Sequence, residues 1–297
     1  MNEYNGVIII NKPVGGSSHR CVSIARHALN MKKIGHTGTL DPAASGVLPL
    51  LIGTATRAAD FLTAEDKRYR AEILLGTVTD TLDMEGKVLA ENEVNVSESR
   101  VREAILSFVG DIVQIPPMFS AVSVNGQRLY NLARQGIEIE RKGRSVTVFS
   151  IDITAIDLPY VTIDVHCSKG TYIRSLAADI GEKLGCGACI YSLMRTKCGI
   201  FGIENSITPD ELTALCERGE EKSVIIPTDT LFEKYDRIFL DKKRADRVKN
   251  GVPIYYNHAS EGKTYRVYDE NKQFISLSCG EVIDGRLCLK LIKGFYK

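Results

Sequence analysis

The sequence predicts a mixed helix-and-strand chain with a small β-rich unit at its C-terminal end. Three observations predict it. Alternating apolar runs such as Val161 to Cys167 interleave with helical periods, the clearest from Thr171 to Leu184. A length of 297 residues suits one large domain plus an appendage. Past about residue 236 the pattern shifts to short strands joined by turn residues. The alternation alone leaves two architectures open, a doubly wound parallel sheet and an α+β fold.

Taken in order, Gly6 to Ile10 reads as a short apolar strand stopped by Lys12-Pro13. Ser17 or Ser18 can cap a helix reaching about Met31. Ile34 to Gly46 is rich in glycine and turn residues, and Val47 to Ile52 reads as a buried strand. Thr54 to Leu62 predicts a short helix. Lys67 to Leu75 predicts a strand with Tyr69, Ala71 and Ile73 on one face. A helix follows over Ser97 to Val109, and Pro116-Pro117 breaks the pattern. From Gly126 to Arg144 the composition turns basic, with Arg128, Arg134, Arg141, Lys142 and Arg144 against Glu138 and Glu140. This predicts an exposed insertion, with a short helix around Leu129 to Ala133, before a strand over Ser145 to Ile156.

In the helix from Thr171 to Leu184, Ile173, Leu176, Ala177, Ile180 and Leu184 share one face and Gly185 supplies the C-cap. Thr208-Pro209-Asp210-Glu211 is a capping box that starts a helix to about Arg218. The pattern breaks between Pro227 and Asp236, so the boundary falls there: residues 1–230 form the larger unit and 236–297 the smaller. The smaller unit opens with a basic helix over Leu240 to Asn250. Strands follow at Thr264 to Tyr268, Phe274 to Ser278 and Leu287 to Leu291, a barrel-like set.

Hydrophobic residues at 44% and charged residues at 25% are the values of an ordinary globular protein, which excludes a disordered chain and a disulfide miniprotein. Lys+Arg of 38 against Asp+Glu of 37 leaves +1, so a nucleic-acid binder with this composition must concentrate its positive charge locally. No tryptophan is present, so base stacking falls to Tyr, Phe, His or Arg. The run Val7 to Ile10 is too short for a signal peptide and nothing approaches a bilayer span, so a cytoplasmic, non-membrane protein is expected. The eight cysteines then read as reduced thiols. Cys186 and Cys189 form a CxxC with no second pair at zinc-ligand spacing, so buried or half-buried thiols are expected and no metal site.

Three segments could carry chemistry. Gly35-His36-Thr37-Gly38-Thr39-Leu40-Asp41-Pro42 presents an imidazole and a carboxylate on a glycine-rich loop. It is neither a Walker A loop nor a dinucleotide fingerprint. Read alone, Asp41 before a proline is most often a turn former. Lys169-Gly170-Thr171-Tyr172-Ile173-Arg174 opens the amphipathic helix, where Arg174 could pair with a carboxylate or simply sit on the surface. Asp66-Lys67-Arg68-Tyr69-Arg70 opens a strand, with cations for phosphates and a tyrosine that could stack on a base or face the core. Together they suggest cofactor-free acid/base or nucleophilic carboxylate chemistry on a planar ring carrying phosphates.

These blocks, with Gly6 to Pro13 and Pro116-Pro-Met-Phe-Ser-Ala121, closely resemble the bacterial tRNA pseudouridine-55 synthase family, the TruB family. They occur in the family's order and cover residues 5 to 205. The resemblance implies an α+β catalytic domain around a mixed, largely antiparallel sheet, followed by a small PUA-like β-barrel that binds RNA. It implies an isomerase that turns uridine 55 of the tRNA T-loop into pseudouridine by base flipping, with no cofactor, metal or guide RNA. Asp41 matches the family's nucleophile, which could attack the ring, attack the sugar or abstract a sugar proton. Arg174 matches its ion-pair partner. Tyr69 matches a tyrosine that stacks on the flipped base and helps remove the proton from carbon 5. His36 matches the residue that fills the space the nucleotide leaves, Tyr172 and Leu193 match contacts to the target nucleotide, and Lys12 matches a supporting lysine.

The insertion, about residues 117–144, matches a thumb that closes over the RNA. Its Arg128, Arg134, Arg141, Lys142 and Arg144 would meet phosphates. Two departures stand out: Ser123 where many relatives carry lysine, and Leu193-Met194-Arg195-Thr196 in place of Leu-Arg-Arg-Thr, which leaves Arg195 and Lys197 as RNA-facing cations. A monomer is expected. A non-catalytic helper of tRNA folding would use the same surfaces, and the intact Asp41, Tyr69 and Arg174 favour the enzyme.

Overall fold

The computed structural model describes residues 4–120, 122–124 and 126–296. Seven strands form the backbone of one mixed sheet. Across it they run Gly6–Lys12, Ala44–Ile52, Ala188–Cys198, Lys67–Leu75, Tyr160–Cys167, Arg144–Asp157 and Gly110–Gln114. Every neighbouring pair in that path is antiparallel except one: Ala188–Cys198 pairs parallel with Ala44–Ile52, Leu193 against Ala44 and Arg195 against Gly46. A doubly wound parallel sheet is therefore excluded.

The run from Val7 to Ile10 is apolar throughout because both faces of its strand are covered. Ile8 and Ile10 pack with Val22 and Ala25 of the helix Ser18–Ala28 and with its C-cap residue Leu29. Val7 and Ile9 pack on the opposite side with Ala55, Leu62 and Phe201. Its outer edge is closed by bridges from Val7 to Ile226 and from Ile10 to Ile207. Toward the middle of the sheet, Ala71, Ile73, Ile163 and Val165 meet Ile173, Leu176 and Ile180 of the helix Ile173–Leu184 and Val101 and Ile105 of the helix Glu98–Leu106.

The helix Ile173–Leu184 ends at Gly185 with φ 82°, the left-handed cap its sequence asked for. The capping box at Thr208 is formed and starts the helix Pro209–Glu217. The basic insertion holds a short hairpin, Ser123–Val124 with Gln127–Arg128, and the helix Leu129–Arg134. Ala121, the last residue of the Pro116 block, lies outside the described residues.

Several expected boundaries shift. The first helix stops at Ala28, and the stretch after Ile52 begins as a 3-10 turn, Gly53–Ala58, before its short helix Ala59–Thr63. The strand Ala188–Cys198 lies third in the sheet and was not expected. Two irregularities, between Ile190 and Ser192 and between Arg195 and Lys197, break the alternation that would have announced it.

Near the C-terminus, five strands form a second sheet in the order Asp236–Phe239, Thr264–Tyr268, Phe274–Ile283, Arg286–Gly294 and Ile254–Tyr255. The helix Lys242–Lys249 packs on it through Ala245 and Val248. Phe232, Phe274 and Phe295 join this sheet to Ala58 and Phe61 of the larger part. All eight cysteines are free, buried or half-buried. Among the described residues, no helix is long and apolar enough to cross a membrane and no cluster of side chains could hold a metal ion.

Candidate active site

Asp41 sits on the loop that enters the strand Ala44–Ile52, and the sequence around it is built to hold that loop. Lys12 is wholly buried beneath it. Its ammonium donates to the carbonyls of Pro13 at 2.9 Å, Pro42 at 3.3 Å and Ala44 at 2.6 Å, bracketing the aspartate. The Ser18 hydroxyl donates to the Leu40 carbonyl and accepts from the Leu40 N–H. The Gly15 N–H donates to the Pro42 carbonyl at 2.9 Å.

On the other side, Arg195 donates to the carbonyls of Val47 and Gly38, each at 2.8 Å. Two glycines make room for it. Gly38 takes φ +67°, and a Cβ there would lie 3.1 Å from the guanidinium; at Gly46, φ +104°, a Cβ would lie 2.2 Å from the Arg195 carbonyl oxygen. Any larger residue at 46 would pry the parallel strands apart.

Arg174, in the first turn of the helix Ile173–Leu184, is 5% exposed rather than on the surface. Its guanidinium reaches Asp41 at 2.9 Å and Asp83 at 3.4 Å. It also donates to the carbonyls of Thr81 and Phe119, both at 2.8 Å. Four acceptors on three chain segments fix a planar donor fork, so the Asp41 carboxylate has one stable orientation. Asp83 went unread in the sequence. Thr79-Asp80-Thr81-Leu82-Asp83 looks like a turn, and a second carboxylate near position 80 was its only signal. It is buried and accepts from the Thr81 hydroxyl at 2.6 Å.

Burial raises the pKa of Asp41, Arg174 opposes that, and Asp83 adds to it; the net direction is upward from the ordinary carboxylate value. The side chain keeps 41% exposure and borders the cleft.

Tyr69 lies opposite Arg195 in the sheet register, its side chain buried. Burial pushes its phenol up to about 12, with Arg195 pulling the other way. The phenol is therefore protonated near neutral pH, a ring and a hydrogen-bond donor rather than a phenolate base.

Asp41, Tyr69, Arg174, Tyr172, Leu193 and Arg144 line one cleft of about 520 Å³. Gln114 fixes Tyr172 by accepting from its N–H at 2.9 Å and donating to its carbonyl at 3.2 Å. Asp41 is the single carboxylate among the lining residues, against Lys67, Arg144, Lys169, Arg174 and Arg195. The sequence reading gives Lys67 only a general part, as one of its strand's cations for phosphates, and assigns Lys169 no role of its own.

Other expected residues fall elsewhere. Lys12 and His36 do not line the cleft. His36 is half-buried, burial lowers its pKa, and its Nδ1 has no partner among the described residues. Arg128, Arg134, Arg141 and Lys142 lie outside the cleft, on the insertion. Arg141 is partly engaged, by Glu138 at 2.9 Å and the Pro116 carbonyl at 3.2 Å. Arg195, expected to face RNA, is only 1% exposed and serves the loop and Tyr69 instead. Lys197 is exposed as expected.

Residues 26–173 match the TruB family pseudouridylate synthase N-terminal domain, and residues 174–233 match the tRNA pseudouridylate synthase B C-terminal domain. Proteins named tRNA pseudouridine synthase B from Clostridium tetani and Clostridium acetobutylicum are each 47% identical, over 92% of this chain and 94% of theirs. Among solved structures, a chain of a Cbf5-Nop10-Gar1 complex aligns with TM-score 0.73 and 27% identity, covering 98% of this chain and 85% of that one. A chain of an archaeal box H/ACA Nop10-Cbf5 complex aligns with TM-score 0.71 and 26% identity, covering 98% and 86%.

Proposed function

The chain belongs to the TruB family and is a tRNA pseudouridine synthase, and we propose that it isomerises uridine 55 of the T-loop with Asp41 as nucleophile. The observation that carries this reading is the Asp41–Arg174 pair, a lone carboxylate in a cleft whose other charged lining residues are all cations and which also holds two tyrosines. An anionic substrate is drawn in, and one oriented nucleophile meets it.

The reaction conserves every atom of the base and sugar framework. The bond from ribose C1′ to N1 breaks, a bond from C1′ to C5 forms, the C5 proton is lost and N1 takes one up. Asp41 acts on the nucleoside while the base turns. Arg174 keeps the carboxylate ionised and aimed against the upward push of burial. A uridine inside a folded T-loop cannot reach the floor of a cleft, so the nucleotide flips out, at a cost of a few kcal/mol. The Tyr69 ring stacks on the flipped base, Tyr172 and Leu193 bound it, and His36 fills the gap left in the loop. Lys12 supports the site from below. The C5 proton leaves with help at Tyr69 only if a partner first relieves its phenol of a proton, since burial holds that proton on.

The thumb residues Arg128, Arg134, Arg141, Lys142 and Arg144 bind phosphates of the stem-loop, and residues 236–297 act as a PUA-like RNA-binding domain beside the catalytic domain of 1–230. The enzyme works alone, as a monomer without guide RNA or cofactor, in the cytoplasm. A contribution to tRNA folding can coexist with catalysis, because the same basic surfaces serve both.

The test is tritium release from carbon 5 of uridine in an unmodified tRNA transcript. Native protein is expected to release one tritium per tRNA, mapped to position 55. Asp41→Asn is expected to release less than a thousandth as fast, with tRNA affinity within a few-fold of native. Release by Asp41→Asn at the native rate would remove the nucleophile assignment. Binding without release by the native protein would leave only the folding helper.

A further inference from the structure

The exposed face of the helix Ser18–Ala28 carries His19, Arg20, Ser23, Arg26 and His27, at positions i, i+1, i+4, i+7 and i+8. Its other face, Ser18, Cys21, Val22 and Ala25, is buried. Lys32 and Lys33 follow immediately and are exposed. From Asn11 to Leu40 the chain contains no Asp or Glu, in a protein with 37 acids in 297 residues. Among the described residues, none of these four cations and two imidazoles lies within salt-bridge distance of a carboxylate. The neighbouring helix Pro209–Glu217 does carry acids, yet Glu211 is spent on its own N-cap.

Local needs account for only part of this charge. Arg26 donates to the Ile34 carbonyl at 2.8 Å, and Arg26 and His27 suit the negative end of the helix dipole. Arg20 stands beside His19 in the first turn, where the dipole disfavours a cation and where no acid offsets it. Among the described residues, Lys32 and Lys33 have no side-chain hydrogen-bond partner that would explain them. Arg26, His27 and Lys32 also line a shallow hollow with Asn30 and Met31.

The position of the face gives it a partner. Ser18 is tied to Leu40, so the helix starts at the lip of the cleft. It is about 16 Å long, at 1.5 Å per residue, and its residues do not line the cleft. It packs on the Gly6–Lys12 end of the sheet, whereas the basic insertion leaves from the Gly110–Gln114 end. Six strand spacings separate the ends, about 29 Å.

We propose that this face, His19, Arg20, Arg26, His27, Lys32 and Lys33, is a second RNA-docking surface that binds phosphates of the tRNA outside the T-arm. The inference rests on the RNA-acting reading above and extends it. A target loop in the cleft with its stem under the insertion leaves this face to a different part of the molecule. The phosphate backbone is the polyanion that unpaired, solvent-facing cations at this spacing recognise.

The test compares full-length tRNA with an isolated T-arm hairpin, using a quadruple variant, Arg20→Gln, His27→Gln, Lys32→Gln and Lys33→Gln. Arg26 is kept for its bond to Ile34. For full-length tRNA the affinity is expected to fall at least ten-fold. The slope of log affinity against log salt should flatten by about two to three, close to one per lost contact. Hairpin affinity and the single-turnover rate of tritium release on the hairpin should stay within two-fold, which also shows the variant is folded. Unchanged affinity for full-length tRNA would overturn the proposal, and so would an equal loss on both RNAs. Native protein that binds tRNA without releasing tritium would sink the catalytic reading alone, and the binding comparison would still decide this surface.

Discussion

At the scale of single residues, the site is a contest over one carboxylate. Burial and Asp83 push Asp41 up, while Arg174 and Lys12 push it down. The proposed nucleophile acts ionised, so on that reading activity should fall on the acid side at a pH above the ordinary carboxylate range. Asp83→Asn removes one repulsion and leaves Asp41 as the one carboxylate paired with Arg174 among the described residues, and both effects lower the pKa. A pH–rate profile of Asp83→Asn should therefore show its acid limb moved to lower pH, with a lower plateau as Arg174 loses an anchor. A limb that stays put would detach Asp83 from Asp41. Asp41, Tyr69 and Arg174 were legible through motifs. Asp83 and Arg195 were not: an aspartate among threonines looks like a turn, and an arginine reads as surface until the carbonyls that take its N–H groups are in view.

At the scale of elements, the helix Ile173–Leu184 was read almost to the residue, because its apolar stripe and its Gly185 cap are both local signals. The strand Ala188–Cys198 was missed because its alternation is broken twice. The same helix carries a cost. Asp179 is pushed up to about 6 from 3.8, by burial first and then by Glu182. Its native value lies above its unfolded value, so the contribution to stability is complete below about pH 4 and is lost as pH rises through about 6. Asp179→Asn should therefore raise the melting temperature at pH 7–8, by roughly 1–2 kcal/mol in stability, and change little near pH 4. Calorimetry at the two pH values checks this. An equal gain at both would assign the effect to packing instead.

At the scale of the whole molecule, the order of strands was beyond the sequence pattern, since pairing partners lie far apart along the chain. The matched family regions divide between residues 173 and 174, yet the strand Ala188–Cys198 from the second region lies between two strands of the first. The two regions are one folding unit. A chain ending at Gly187 is expected to show no cooperative melting by near-ultraviolet circular dichroism and no tRNA binding. A cooperative transition in that fragment would mean the first region folds by itself.

The parallel seam at Gly46 also bears on how the protein is born. Ala44 pairs with Leu193, a residue synthesised 149 positions later. A nascent chain still on the ribosome carries the Asp41 loop early but has no third strand against which to set it. It also lacks the arginine that clasps the loop from that strand. The cleft is thus complete only after residue 198 has left the ribosome and its strand has entered the middle of the sheet.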